Sequence, residues 1–209
     1  ASIWIVAIAS NLSAVWIIIA NAWMQSPVGF TMRNGRAELV DFWAVITQKF
    51  AIVKFIHTAS AAYTLAAFFV MGVSAYHLLK KKHIDFFTRS FKIALTFGLV
   101  FSLTVFILGD LNGKVVAEKQ PTKLAALEAH WETQRRAPVA VFAWPDPENE
   151  RNLFEFGKIP GALSFMAFND FDAEVRGLKD FPPDERPPVA IVFWSFRIMV
   201  GIGVLMVLT

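Results

Sequence analysis

Long apolar stretches that carry almost no charge are the feature that most limits how this 209-residue chain can fold. Residues 1–25 and 93–109 contain no Lys, Arg, Asp or Glu, and Arg197 is the single charged residue between positions 188 and 209. About 20 helical residues cross the hydrocarbon core of a bilayer, which is about 30 Å thick. The sequence therefore predicts an all-α integral membrane protein.

The predicted architecture has four transmembrane helices and one long extracytoplasmic loop between the third and the fourth. Pro and Gly, which break helices, follow the first apolar stretch, and a basic link follows the second. The predicted helices A, B, C and D cover residues 1–24, 49–79, 89–109 and 188–209, with links at 25–48 and 80–88 and the loop at 110–187. Both ends fall inside apolar runs, so we expect the chain to be a piece of a longer polypeptide.

The loop differs in composition from the rest of the chain. Residues 110–187 hold 10 Lys or Arg, 14 Asp or Glu and eight of the ten prolines. Connections of this length carry a function more often than they serve as simple turns. Residues 121–134 have the Pro start and the apolar spacing of a short helix. The sequence therefore predicts a water-exposed loop that contains one helix.

The short basic link predicts the orientation in the membrane. It carries Lys80, Lys81 and Lys82, with Arg89 close behind, against the single acid Asp85. Basic residues concentrate in the cytoplasmic loops of membrane proteins. We therefore place link 80–88 in the cytoplasm, and by alternation link 25–48 and loop 110–187 lie outside.

Composition also excludes two kinds of chemistry. The chain has no Cys, so it forms no disulfide and offers no thiolate to an iron–sulfur cluster or another metal. Its net charge of +3 is small and is not arranged as a basic stripe with interleaved aromatic residues. Nucleic acid is therefore not an expected partner.

His57 and Met199 are candidate ligands of a haem. They lie about eight and eleven residues into helices B and D, which enter the membrane from the same side. At about 1.5 Å per residue, the two side chains reach depths of about 12 and 17 Å. His and Met together are the axial ligands of six-coordinate electron-transfer haems. The alternative is that His57 bonds to a neighbouring helix and Met199 packs against apolar side chains.

Arg197 lies in the same predicted helix, two residues before Met199. A charged side chain inside a membrane helix is costly and normally faces a partner of opposite charge. The propionates of a haem would supply that charge. The alternative is a side chain that extends to the outer interface.

Two further pairs of polar residues have a functional and a structural interpretation. Lys123 and Glu128 lie about 140° apart on the predicted loop helix, so they are not a helical ion pair. They belong either to a binding site or to a solvated charged helix. Ser13 and Asn21 lie about 80° apart around helix A. They either line one polar path or bond between helices.

Four separated groups of residues carry a resemblance to a known family. They are residues 21–29 (NAWMQSPVG), 57–58 with 72–76, 109–110 with 120–133, and 196–200 (FRIMV). In this order they resemble subunit I of the cytochrome bd-type quinol oxidases, in which the third group begins the quinol-binding Q-loop. The stretch that follows is short and resembles the short form of that loop.

The resemblance implies roles for the candidate residues. His57 and Met199 would ligate the iron of a low-spin haem b, and Arg197 would lie beside that haem. Glu128 and Lys123 would be the catalytic residues of a quinol site.

The resemblance further implies a proton path and a set of partners. Ser13 and Asn21 resemble positions on the family's proton route. A high-spin haem b and a haem d are expected in the full subunit, with ligands outside this chain. The expected partners are subunit II, small accessory subunits, membrane quinol and the lipid bilayer, in the cytoplasmic membrane of a bacterium or an archaeon.

The function implied is quinol oxidation coupled to the reduction of oxygen to water. The alternative is another membrane b-type cytochrome that reacts with quinones, which would need paired His ligands. Helix B offers His57 and His77, but no other predicted membrane helix carries a His. A transporter would show broken helices or internal repeats, and the sequence has neither.

His130 is a rival to Glu128 as a base, because the ordinary pKa of His is close to neutral pH.

Overall fold

The structure is a computed structural model that describes residues 2–209. Its α-helices are α1 (Ser2–Gln25), α2 (Phe42–Thr47), α3 (Lys49–Leu79), α4 (Ile84–Lys119), α5 (Pro121–Glu128), α6 (Ala162–Phe168) and α7 (Val189–Leu208). Its strands are β1 (Phe30–Arg33), β2 (Arg36–Leu39), β3 (Gln134–Arg135), β4 (Val139–Asp146), β5 (Arg151–Ile159) and β6 (Glu174–Val175). By length and composition α1, α3, α4 and α7 can each cross a membrane, which confirms the four predicted membrane helices.

The strands correct the prediction of an all-α chain. They form three antiparallel pairs, β1 with β2, β3 with β6 and β4 with β5, all outside the four long helices. The β4–β5 hairpin is the longest of them. Its β4 sequence, VAVFAWPD, is rich in β-branched and aromatic side chains, which favour strands.

Helix α4 is longer than the predicted helix C. It begins at Ile84 and continues to Lys119, well past the predicted end at Gly109. Its 36 residues extend for about 54 Å, which is longer than a bilayer core is thick. The charges after Gly109 mark the end of the apolar stretch but not the end of the helix, since Asp, Lys and Glu are all compatible with helical backbone.

Helix α5 is shorter than predicted and ends at Glu128 rather than at Gln134. The next residue, Ala129, has φ 48° and ψ 43°, the left-handed conformation that terminates helices. The His130 amide then donates to the Ala125 carbonyl at 2.8 Å, which caps the helix end.

The chain divides into two compact units, one up to Asn112 and one from Gly113 onward. In the first unit, α3 and α4 approach closely through small side chains. A Cβ added to Gly98 of α4 would lie 3.2 Å from the Ala67 Cβ of α3. Nearer the link between α3 and α4, the Ser74 and Ser90 hydroxyls lie 3.1 Å apart and form a hydrogen bond. Small residues and interhelical hydrogen bonds are the usual means by which membrane helices associate.

In the second unit, one apolar cluster joins α5, β4 and α7. Val189 and Phe193 of α7 pack with Ala125 and Ala126 of α5. Phe193 is fully buried. A second cluster is formed by residues of α4, α5, α6 and β6 together with Ala137: Val116, Ala117, Leu124, Ala137, Leu163, Ala167 and Val175. These contacts fix α5 against the beginning of α7.

The close approach of α3 and α4 predicts a position-specific effect of adding volume. Gly98→Val places two methyl groups where even a Cβ is tight, so we expect the protein to lose about 1–3 kcal/mol of stability. Thermal unfolding of the purified protein in detergent measures this. Gly72→Val is the control, because nothing lies within 4 Å of a Cβ at Gly72. Equal losses in both variants would contradict the packing described.

Candidate functional site

His57 of α3 has room beside its ring and a nitrogen without a partner. It is half-buried, and a Cβ at Gly109 of α4 would lie 3.7 Å from its Cε1, so the glycine keeps the space beside the imidazole open. The buried Nδ1 of His57 finds no hydrogen-bond partner among residues 2–209. A half-buried imidazole whose buried Nδ1 is unused fits the requirement for a haem ligand, whose orientation is normally fixed by a bond of the other ring nitrogen.

Polar residues near the end of α1 form a small cluster with α3. The Asn21 side-chain oxygen accepts hydrogen bonds from Gln25 Nε2 at 2.6 Å and from Lys54 Nζ at 3.2 Å. Ser13 is exposed on α1 and is separate from this cluster. The structure therefore joins Asn21 to α3 and does not bring Ser13 and Asn21 together.

Glu128 and Arg197 form a buried ion pair in the second unit. Arg197 Nη2 donates to Glu128 Oε2 at 2.6 Å, and the two side chains are 18% and 5% exposed. The guanidinium also lies over the Phe193 ring, 5.1 Å from its centre. The Arg197 Nε is buried and has no hydrogen-bond partner within residues 2–209. One donor of this guanidinium is thus available for a further acceptor, and its charge has a protein partner that the sequence did not predict.

Burial sets the protonation behaviour of Glu128. Its removal from water raises the pKa of this carboxyl above the ordinary value for Glu, while the charge of Arg197 and the hydrogen bond from it act in the opposite direction. A carboxyl whose pKa lies closer to neutral is better suited to exchange protons at physiological pH.

Lys123 and Met199 lie close in sequence to this pair but face elsewhere. Lys123 is half-buried on α5, about 140° around the helix from Glu128. Met199 is 54% exposed on α7 and lies about 200° around the axis from Arg197. Its thioether is therefore on the opposite side of α7 and is accessible to a ligand.

Two residues that the sequence analysis did not single out, Asn152 and Gly177, contact the segment after Glu128. The Asn152 amide of β5 donates to the Ala129 carbonyl at 2.9 Å, and its oxygen accepts from Trp131 Nε1 at 3.0 Å. Gly177 approaches from another direction, where a Cβ would lie 2.3 Å from the Trp131 carbonyl oxygen. No local pattern in the sequence joins positions 129, 152 and 177, because the hairpin and the following loop bring them together.

His130 is buried beside this segment. Its Nε2 lies 3.4 Å from the Val175 carbonyl oxygen, and burial lowers the pKa of the imidazole. Within residues 2–209, no group of three or more His, Cys, Asp and Glu side chains is arranged to hold a metal ion.

The described residues thus combine four helices that can each cross a membrane with an ion pair, Glu128 with Arg197, whose carboxyl is almost completely buried. The sequence model of the family described as "Cytochrome bd terminal oxidase subunit I" matches residues 1–209. The chain belongs to this family, and the resemblance seen in the sequence is confirmed.

Individual relatives support the same family assignment. The chain is 44% identical over 216 residues to the cytochrome bd ubiquinol oxidase subunit 1 of Bacillus subtilis strain 168, a match that covers 99% of this chain and 46% of the relative. It is 41% identical over 187 residues to the cytochrome bd-II ubiquinol oxidase subunit 1 of Escherichia coli K12, covering 88% of this chain and 36% of the relative. It is also similar to the structure of the bd oxidase from Geobacillus thermodenitrificans, with TM-score 0.86, 37% identity and coverage of 97% of this chain and 46% of that chain. The chain thus spans less than half the length of these relatives.

The buried pair predicts an asymmetric response to substitution. Arg197→Met leaves the Glu128 carboxylate buried without its partner, which should cost about 3 kcal/mol of stability. Removing both charges in Arg197→Met with Glu128→Gln should recover a large part of that loss. Thermal unfolding of the purified oxidase measures both variants.

The control is an exposed pair in the same unit. Arg136 and Asp172 lie 2.9 Å apart with side chains 63% and 65% exposed. Arg136→Met should cost less than about 1 kcal/mol. A loss at Arg197 as small as the loss at Arg136 would contradict the burial of the pair.

Proposed function

We propose that this chain is the quinol-oxidising, electron-transferring part of subunit I of a terminal oxidase that reduces oxygen to water. The observation that carries the proposal is the buried Glu128 carboxyl, held by Arg197 of α7 two residues before Met199. Family membership supports the same class of reaction, and the names of two relatives specify ubiquinol.

His57 and Met199 are each proposed to be ligands that would hold a low-spin haem b. When bound, this group supplies one-electron redox chemistry at a potential that its ligands help to set. The unpartnered Nδ1 of His57 and the exposed thioether of Met199 fit these roles. Arg197 is proposed to stabilise the negative charge of the haem propionates through its unused Nε, in addition to holding Glu128.

Glu128 is proposed to act as the general base. Oxidation of a quinol releases two protons, and a carboxylate within hydrogen-bond reach of a quinol hydroxyl can accept one. The raised pKa of Glu128 makes proton capture more favourable than at an exposed Glu, and Arg197 stabilises the ionised form that must be present first. Lys123, on the same helix, is proposed to orient a quinol oxygen, because an ammonium donates hydrogen bonds but accepts none.

The remaining proposals concern the assembled enzyme. A high-spin haem b and a haem d would occupy the full subunit, with ligands outside this chain. Subunit II, small accessory subunits and the bilayer would surround it, with loop 110–187 outside the cytoplasmic membrane, where the released protons leave. Ser13 and Asn21 remain proposed positions on a proton route, although Asn21 also bonds to Lys54.

Glu128→Gln tests the proposed base in the complete oxidase. The amide keeps the shape but cannot accept the proton, so quinol-driven oxygen uptake should fall at least about 100-fold. Oxygen uptake with an artificial donor that reduces the haem directly should persist, and the haem spectra should stay normal. Glu132→Gln is the control, because Glu132 is 68% exposed and pairs with Lys179. Full quinol activity in Glu128→Gln would refute the assignment.

Met199→Leu tests the proposed ligand. Leu has nearly the same volume but no sulfur lone pair, so the helix should fold normally while the sixth ligand is lost. We expect the reduced-minus-oxidised spectrum of the low-spin haem to change. Ile198→Leu is the control, because Ile198 is similarly exposed one position earlier. A spectrum identical to that of the unmodified oxidase would exclude Met199 as a ligand.

A further inference from the structure

The backbone immediately after Glu128 has an unfavourable conformation. Ala129 is in the left-handed region at φ 48°, which is less favourable than the right-handed helix for an L-residue with a Cβ. Ala129 is also almost completely buried. Such conformations persist where the surroundings hold them in place. The direction in which the end of α5 presents Glu128 therefore depends on what holds Ala129.

Asn152 is the side chain that contacts this backbone directly. Its Nδ2 donates to the Ala129 carbonyl at 2.9 Å and to Glu155 Oε1 at 2.8 Å. Its Oδ1 accepts from Trp131 Nε1 at 3.0 Å. The amide thus uses both donors and its acceptor, and two of these bonds reach the residues one and three positions after Glu128. Glu155, which accepts a hydrogen bond from Asn152, also forms an ion pair with Lys158, and all three residues lie on β5.

The turn also has two helix-end bonds, from the Ala129 amide to the Ala126 carbonyl at 3.3 Å and from the His130 amide to the Ala125 carbonyl at 2.8 Å, but neither of them uses the Ala129 carbonyl. The Leu178 amide donates to the His130 carbonyl at 2.9 Å, and the Lys179 amide donates to the Trp131 carbonyl at 3.1 Å. These two bonds are made one and two residues after Ala129. The carbonyl of Ala129 is a helix-end acceptor, and such groups need a partner when they are buried.

We propose that Asn152 is a positioning residue for Glu128, which it aims by holding the left-handed turn at Ala129. This inference rests on the proposed function of Glu128 as the base for quinol oxidation. Asn152 acts through the backbone, and the β4–β5 hairpin becomes part of the quinol site although its strands carry no proposed catalytic group. Displacement of a catalytic group by about 1 Å can reduce a rate about 100-fold, so the loss of this bond should be visible in kinetics.

Asn152→Ala in the complete oxidase tests the proposal. We expect kcat/KM for quinol to fall about tenfold or more. Haem content, haem spectra and oxygen uptake with a direct electron donor should be unchanged. Asn149→Ala is the matched control, because Asn149 lies in the turn of the same hairpin and bonds to Asp146 Oδ2 at 2.8 Å. We expect its kcat/KM to stay within about twofold of the unmodified value.

Asn152→Asp is the second variant, for the case in which the Ala variant does not assemble. It keeps the size of the side chain and an acceptor for Trp131 Nε1, but it lacks the donor for the Ala129 carbonyl. The same loss of quinol activity is expected, with assembled haem as the evidence of folding. Quinol kinetics like those of the unmodified oxidase in an assembled Asn152 variant would overturn the proposal.

The Glu128→Gln background separates positioning from general support. If Asn152 acts through Glu128, Asn152→Ala should reduce the residual quinol activity of Glu128→Gln by less than about twofold, because the group that it aims is already absent. An equal fold-loss in both backgrounds would overturn the proposal in favour of a purely structural role. If Glu128→Gln keeps full activity, the proposed base is wrong and this inference falls with it. If Glu128→Gln is impaired while Asn152→Ala is normal, only the inference is wrong.

Discussion

The second half of the molecule depends on the ion pair between Arg197 and Glu128. A guanidinium two turns into an apolar helix needs a partner, since an isolated charge there is far costlier than one in water. Glu128 is that partner, with its Oε2 2.6 Å from Arg197 Nη2, and the ion pair connects α5 to α7. The apolar contacts of Phe193 and Val189 with α5 exclude water around the pair. Structure and chemistry are linked at this point, because the burial that requires a partner for the arginine also raises the pKa of the acid.

The membrane helices were predictable because hydrophobicity and length are local properties of the sequence. Predicted helix A ends at residue 24 and α1 ends at Gln25, and helix D was placed at 188–209 where α7 covers Val189–Leu208. The end of α4 was not predictable in the same way, since the change from apolar to charged residues at Asp110 marks a change of solvent, whereas the helix continues to Lys119. The hairpin of β4 and β5 was not predicted, because buried and exposed residues do not alternate regularly along β4 and the strand lacks the period of two that would indicate it.

The candidate site likewise combines residues that the sequence predicted with contacts that it did not predict. His57, Met199, Arg197, Lys123 and Glu128 were found as residue types in specific places, and the resemblance to the family added roles that stay predictions. The pairing of Arg197 with Glu128 joins positions 69 residues apart, and the contacts of Asn152 join β5 to the end of α5. Such pairings arise from tertiary folding, so spacing along the chain carries no signal of them. A polar partner from the protein itself, rather than a cofactor, was therefore overlooked.

The left-handed turn at Ala129 also limits which residues evolution can place there. A φ of 48° disfavours Val, Ile and Thr, whose branched Cβ collides with the backbone in this region. Asn and Asp tolerate the conformation, but position 129 is only 2% exposed and offers little room for another polar group. Gly adopts the turn without strain but leaves the unfolded chain with more freedom to lose on folding. A small unbranched side chain satisfies these demands together, so sequence variation at this position should be narrow even though the residue itself has no part in the chemistry.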